Sequence, residues 1–132
     1  MKPWFRYFSF FLILGILIAV SIIEDKIVSN SLIQVNDYCF EIENTISEEE
    51  KIKNMNMVML VDNLEYAWKE NESLMCFMVN HKSIQEIGIE ISKMKSYLAE
   101  DDIKEFKASL ELVKFYTHSY LHFMGASWHN IL

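Results

Sequence analysis

The hydrophobic positions of this chain form one continuous run followed by a series of narrow stripes. Residues 7–23 read YFSFFLILGILIAVSII and carry no charge in 17 positions. A helix needs roughly 17–25 apolar residues to cross a bilayer, so this run is long enough with little tilt. Twelve Phe, Leu, Ile or Val residues lie between Phe8 and Ile23. At about −0.3 to −0.6 kcal/mol each near the bilayer centre, they favour insertion by roughly 4–7 kcal/mol. Ser9, Gly15 and Ser21 remove only part of that. Trp4 and Tyr7 suit the membrane–water interface, where amphipathic rings collect.

Beyond Ile23 the spacing turns helical. Val28, Leu32, Val35, Cys39, Ile42 and Ile46 recur every three or four residues, which predicts an amphipathic helix over about 24–46. No residue between Ile23 and Ile27 breaks a helix, so the apolar run is expected to continue straight into it. Ser47 followed by Glu48, Glu49 and Glu50 has the form of a capping box, which predicts a second helix from about Glu48. Its stripe is Met57, Val61, Leu64 and Trp68, with Met75 and Met78 further on. The rhythm then slips by one residue, and a new stripe runs Ile84, Ile87, Ile91, Met94 and Leu98. Ser83–Glu86 resembles another capping box, so a break or kink is expected near Asn80–Lys82. An unbroken helix over 48–98 would be about 75 Å long. Asp102 with Glu105 caps a last helix carrying Ile103, Phe106, Leu110, Val113, Thr117, Tyr120 and Met124. Gly125 is expected to close it in a left-handed conformation.

Each helix offers a single apolar stripe, so the helices must pack together. The fold class is all-α: an N-terminal transmembrane helix continuing into a small antiparallel bundle of three to four helices. Residues 1–23 form the anchor and 24–132 the bundle. Trp68, Leu64, Ile87, Ile91, Phe106, Leu110 and Val113 are the expected core. Only 3 Gly and 1 Pro among 132 residues argue against a turn-rich β fold, and 52% hydrophobic residues argue against a disordered one.

Charge adds placement. Lys2 and Arg6 precede or open the apolar run, while Glu24 and Asp25 follow it. The positive-inside bias then keeps the N-terminus cytoplasmic and exports the bundle, giving a single-pass membrane protein. A cleaved signal peptide is the competing reading, because Ala19-Val20-Ser21 is a small-x-small triplet, although Ile22 and Ile23 prolong the run past it. Residues 24–132 hold 10 lysines against 19 carboxylates, a net −9. Such a domain is a poor nucleic-acid binder and is repelled by anionic headgroups.

Candidate chemistry is sparse. His118 and His122 share a helical face, with Glu111 two turns before them; a His-x-x-x-His pair with a carboxylate can bind zinc. No catalytic Glu adjoins the first histidine, so solvated histidines are the default, and no cofactor or metal is expected. His81 falls at the expected break, where it could meet helix-end carbonyls or sense pH. Cys39 and Cys76 would lie some 30 Å apart if the second helix were continuous, and only a sharp reversal would bring them together. Free buried thiols are the expectation, with a cross-link between subunits as the alternative. The Met55, Met57, Met59, Met75 and Met78 cluster reads as core. No phosphate loop, nucleophile elbow or small-molecule site is evident.

From Trp68 onward, over about half its length, the chain resembles domain-of-unknown-function family 4363. The features that carry the resemblance are Trp68 before a polar stretch and His81 before the Ile84/Ile87/Ile91 stripe. Tyr97-Leu98 before Asp101-Asp102, His118 in the last helix and the ending Asn130-Ile131-Leu132 also match. The resemblance implies short proteins, chiefly of spore-forming Gram-positive bacteria, with an N-terminal hydrophobic segment and a helical remainder. It implies no catalytic residues.

These readings together point to a non-enzymatic, membrane-anchored interaction or scaffolding protein of the envelope. Its membrane contact is residues 4–23, and its partner is a second copy or another membrane protein. Trp128, Ile131 and Leu132 are the candidate contacts. The alternative is an extracytoplasmic sensor or ligand-binding module using His81, His118 and His122.

Overall fold

The computed structural model describes residues 3–46, 51–78 and 81–129. Within them the chain forms four helices and no strand: α1 (Pro3–Ile46), α2 (Met55–Met78), α3 (His81–Glu100) and α4 (Ile103–His129). Pro3 opens α1, where its missing N–H and fixed φ cost nothing. From there α1 runs without a break for 44 residues, about 66 Å at 1.5 Å per residue. The two halves of this helix have different surroundings. Every side chain from Tyr7 to Ile23 is exposed, whereas Val28, Leu32, Val35, Cys39, Ile42 and Ile46 are buried.

The buried half of α1 joins α2, α3 and α4 in a closed ring in which α1 packs on α2, α2 on α3, α3 on α4, and α4 on α1. The expected bundle is therefore a four-helix one. Its antiparallel sense shows in the ion pairs, because Lys95 of α3 meets Glu65 of α2 and Lys114 of α4 meets Glu43 of α1. Trp68, Leu64, Ile87, Ile91, Phe106, Leu110 and Val113 all lie in the core, as their spacing implied.

Three boundaries differ from expectation. α2 begins at Met55 rather than near Glu48. Asn54 is its cap, since Asn54 Oδ1 accepts from the Met57 amide at 2.7 Å. Ile52, just before the cap, is fully buried in the core. Ser47–Glu50 lies outside the described residues. α3 opens at His81, so Ser83 is inside the helix and is not its cap. The break between α2 and α3 is a full reversal of direction. Finally, Gly125 does not end α4. It has no positive φ, and the helix continues to His129. The sequence after Gly125 is compatible with a helix, and glycine inside a helix costs only about 1 kcal/mol relative to alanine.

The left-handed residue of the fold is Asp101, at φ 57°. It closes α3 in a Schellman motif: its amide donates to Leu98 O (3.2 Å) and that of Asp102 donates to Tyr97 O (2.9 Å). Asp102 then caps α4 by accepting from the Glu105 amide at 3.1 Å, as its position predicted. Asp101 Oδ1 also accepts from the Lys53 amide (3.0 Å), and Lys53 Nζ donates to Ala99 O (2.7 Å). This clasp ties the α1–α2 connection to the α3–α4 turn at the end of the bundle farthest from the apolar run.

α2 and α3 approach closely where Trp68 meets Gly88. A Cβ built at Gly88 would lie 2.8 Å from Trp68 Nε1, inside van der Waals contact with a buried ring. Gly88→Ala should therefore destabilise the bundle by about 1–3 kcal/mol through overpacking, even though alanine is the better helix former by about 1 kcal/mol. Urea denaturation of the two proteins checks the sign. A stabilised Gly88→Ala would mean the helices can separate freely at this point.

Candidate functional site

The face of α4 that sequence spacing singled out is built from exposed residues. His118 and His122 are both exposed, one turn apart. Glu111 does not join them. Seven residues of helix place it about 10 Å along the axis from His118, and its Oε1 is held by Lys114 Nζ at 3.0 Å. Among the described residues no three His, Cys, Asp or Glu side chains gather as metal ligands would. His81 is the first residue of α3, at the end of that helix where amides rather than carbonyls are left free. Trp128 falls in the last turn of α4, and its side chain, with Ile131 and Leu132, lies outside the described residues.

Both cysteines are free, Cys39 buried and Cys76 half-buried. Burial, the largest influence, pushes the Cys39 thiol up to about 12. That leaves Cys39 inert as a nucleophile at neutral pH. The methionine cluster divides. Met57 and Met75 are in the core, but Met55 and Met59 are exposed on the outer face of α2.

An open cleft of 730 Å³ lies between α2 and α3, lined by Glu65, Trp68, Lys69, Glu72, Gly88 and Ser92 among others. Trp68, which lines it, has a buried Nε1 without a hydrogen-bond partner, and outside the cleft the buried Oε2 of Glu90 has none either. Glu90 Oε1 meets Lys93 at 2.7 Å. Sequence reading missed this buried carboxylate because nothing in the spacing distinguishes it from a solvated one.

Two charge straps cross the surface. Lys95 pairs with Glu65 (2.6 Å) and Asp62 (2.9 Å), and Lys69 also reaches Glu65 (2.7 Å). The hydrogen bonds from Lys69 and then Lys95 hold the Glu65 carboxyl below its ordinary 4.5. The bonds to Glu65 and then Asp62 push Lys95 up to about 12. On the opposite side, Lys114 bridges Glu43 and Glu111, and its bond to Glu43 raises it above the ordinary lysine value. Because the folded-state value of Glu65 is depressed, its contribution is present above pH 4.5 and is lost as pH falls through the lower folded value. The unfolding midpoint should drop on acidification below about pH 4.5, and Glu65→Gln should flatten part of that slope while costing about 1 kcal/mol or less at neutral pH, as exposed pairs do.

The class defined by these features is an all-α bundle carried on an exposed apolar N-terminal helix, with no group of three metal-ligating side chains among its described residues. The chain belongs to the family described as a domain of unknown function (DUF4363), whose model matches residues 22–131. The match begins where the apolar run ends, so the family domain is the bundle itself, and it extends well beyond the half of the chain that carried the resemblance. No curated protein and no solved structure matches the chain.

Proposed function

We propose that the protein is a non-enzymatic, single-pass envelope component whose bundle associates with another protein, a second copy or a membrane neighbour. One observation carries the reading. α1 is a single helix whose residues 7–23 bury nothing and whose residues 28–46 form one wall of the core. It is the one described helix long and apolar enough to cross a membrane. An exposed apolar face of this size needs an apolar environment, and a rigid junction makes the same helix both anchor and stalk. Lys2 and Arg6 on one side, with Glu24 and Asp25 on the other, support a cytoplasmic N-terminus and an exported bundle.

The narrow three-four seams on α1 and α4 are of a kind that suits association between helices. They are spent inside the bundle, with Val28 through Ile46 and Phe106 through Thr117 buried. A partner must therefore use the outer surface or the C-terminal segment. Trp128, Ile131 and Leu132 supply apolar side chains there, after a stretch of α4 that has no carboxylate beyond Glu111. Cross-linking in native membranes, with and without residues 128–132, tests this. The reading expects a cross-linked adduct that weakens on deletion; an unchanged adduct would remove the tail from the interface.

A further inference from the structure

We infer that the base of the bundle is a second membrane contact: the end of α2 at Phe77 and the end of α4 at Phe123 rest in the bilayer interface beside the anchor. This rests on the reading of residues 7–23 as a membrane span. α1 fixes which end of the bundle is the base. It rises from Ile23 to Ile46, so α2 returns toward the apolar run, and α4 does the same.

The heights follow from helix geometry. The core of α1 spans Val28 to Ile46 and that of α2 spans Met57 to Met75, about 27 Å each at 1.5 Å per residue. Met75 is thus level with Val28. Phe77 lies two residues lower, within about 5 Å of the level of Ile23. On α4, Leu121 and Met124 share a cavity with Ile22 and Asp25 of α1, which places Phe123 at the same level. The interfacial layer of one leaflet is roughly 5–8 Å thick, so both phenylalanines fall within it when the hydrocarbon edge is at Ile23. α4 then continues to His129, about 6 Å past Gly125, alongside the apolar run.

Exposure and charge agree with this placement. Phe77 is 86% exposed and Phe123 is 74% exposed, with Leu74 (40%) beside Phe77 one turn up. Rings so exposed are costly in water and favourable at a headgroup boundary. The charge of the bundle is also graded along its axis. The described residues that form or approach the base, 73–78 of α2, 81–85 of α3 and 118–129 of α4, contain no carboxylate side chain. Those segments hold all four histidines together with Lys82. Glu24, Asp25 and Lys26 of α1 and Glu86 of α3 are the charges bordering the base. Glu100, Asp101 and Asp102 lie at the distal end, at the α3–α4 turn. The acidity that argues against anionic surfaces is thus concentrated away from the membrane.

Nitroxide depth measurements test the placement on the full chain in phosphatidylcholine vesicles, in a Cys76→Ser background. Labels are placed at Phe77→Cys, Phe123→Cys, Leu14→Cys and Tyr66→Cys; all four positions are exposed, so none disturbs the core. The expected result is oxygen-to-nickel collision ratios at 77 and 123 several-fold above that at 66 and below that at 14. Ratios at 77 and 123 equal to that at 66, with 14 reading lipid, would overturn the inference and leave the anchor intact. A water-like ratio at 14 would overturn the anchor and the inference with it.

Discussion

Replacing Trp68 by alanine should cost the bundle about 3–5 kcal/mol, the range for large aromatic truncations in a core that relaxes only partly. Trp68 is 2% exposed and packs between α2 and α3 where Gly88 admits it. Small domains are stable by about 5–15 kcal/mol, so this one change removes a large share of the total. The expected observation is a lower urea midpoint with an unchanged slope. Trp68→Phe separates two causes. The indole Nε1 has no hydrogen-bond partner, so phenylalanine loses volume but no hydrogen bond and should cost well under half as much. Equal losses for the two variants would show that the indole N–H has an acceptor in solution.

Removing residues 1–23 should move the protein from the membrane fraction to the soluble fraction without unfolding it. The run from Phe8 to Ile23 favours insertion by roughly 4–7 kcal/mol, or about three to five decades in partitioning. None of those side chains belongs to the core, whose first member on α1 is Val28. The truncated chain should therefore keep its helical signal and cooperative melting. If it aggregated or lost cooperativity, the apolar run would be part of the fold as well as its address.

The periodic parts of this fold were legible in the sequence. The seams at 28–46 and 84–98 are buried as their three-four spacing required, that of α4 is buried from Phe106 to Thr117 with Ile103, Tyr120 and Met124 half-buried, and the register slip after Met78 correctly marked an interruption. The non-periodic parts were not legible. A one-residue slip fits a kink or a hairpin equally well, and only packing of α3 back on α2 decides for the hairpin. Acidic residues after Ser47 looked like a helix start, but Ile52 has more to gain in the core, and Asn54 caps α2 instead. The left-handed position was sought at Gly125. It fell at Asp101, where the Lys53 amide gives an aspartate a reason to sit there that no local pattern reveals.

The candidate site was less legible still. The spacing of His118, His122 and Glu111 suggested a ligand set, yet Glu111 is committed to Lys114 and stands two turns away. Conversely, Phe77 and Phe123 drew no notice, because their significance depends on which end of the bundle meets the anchor. The seams of α1 and α4 were legible as association surfaces, but their partner is the rest of the same chain.

The central claim is that one uncleaved helix carries an exported bundle. Labelling intact cells with a membrane-impermeant maleimide tests it most directly, using Met55→Cys, which is 79% exposed at the distal end, in a Cys76→Ser background. The account predicts labelling without permeabilisation, on a species whose mass is that of the full chain. Labelling only after permeabilisation, or a labelled species lacking about the first twenty residues as a cleaved signal peptide would, would contradict it.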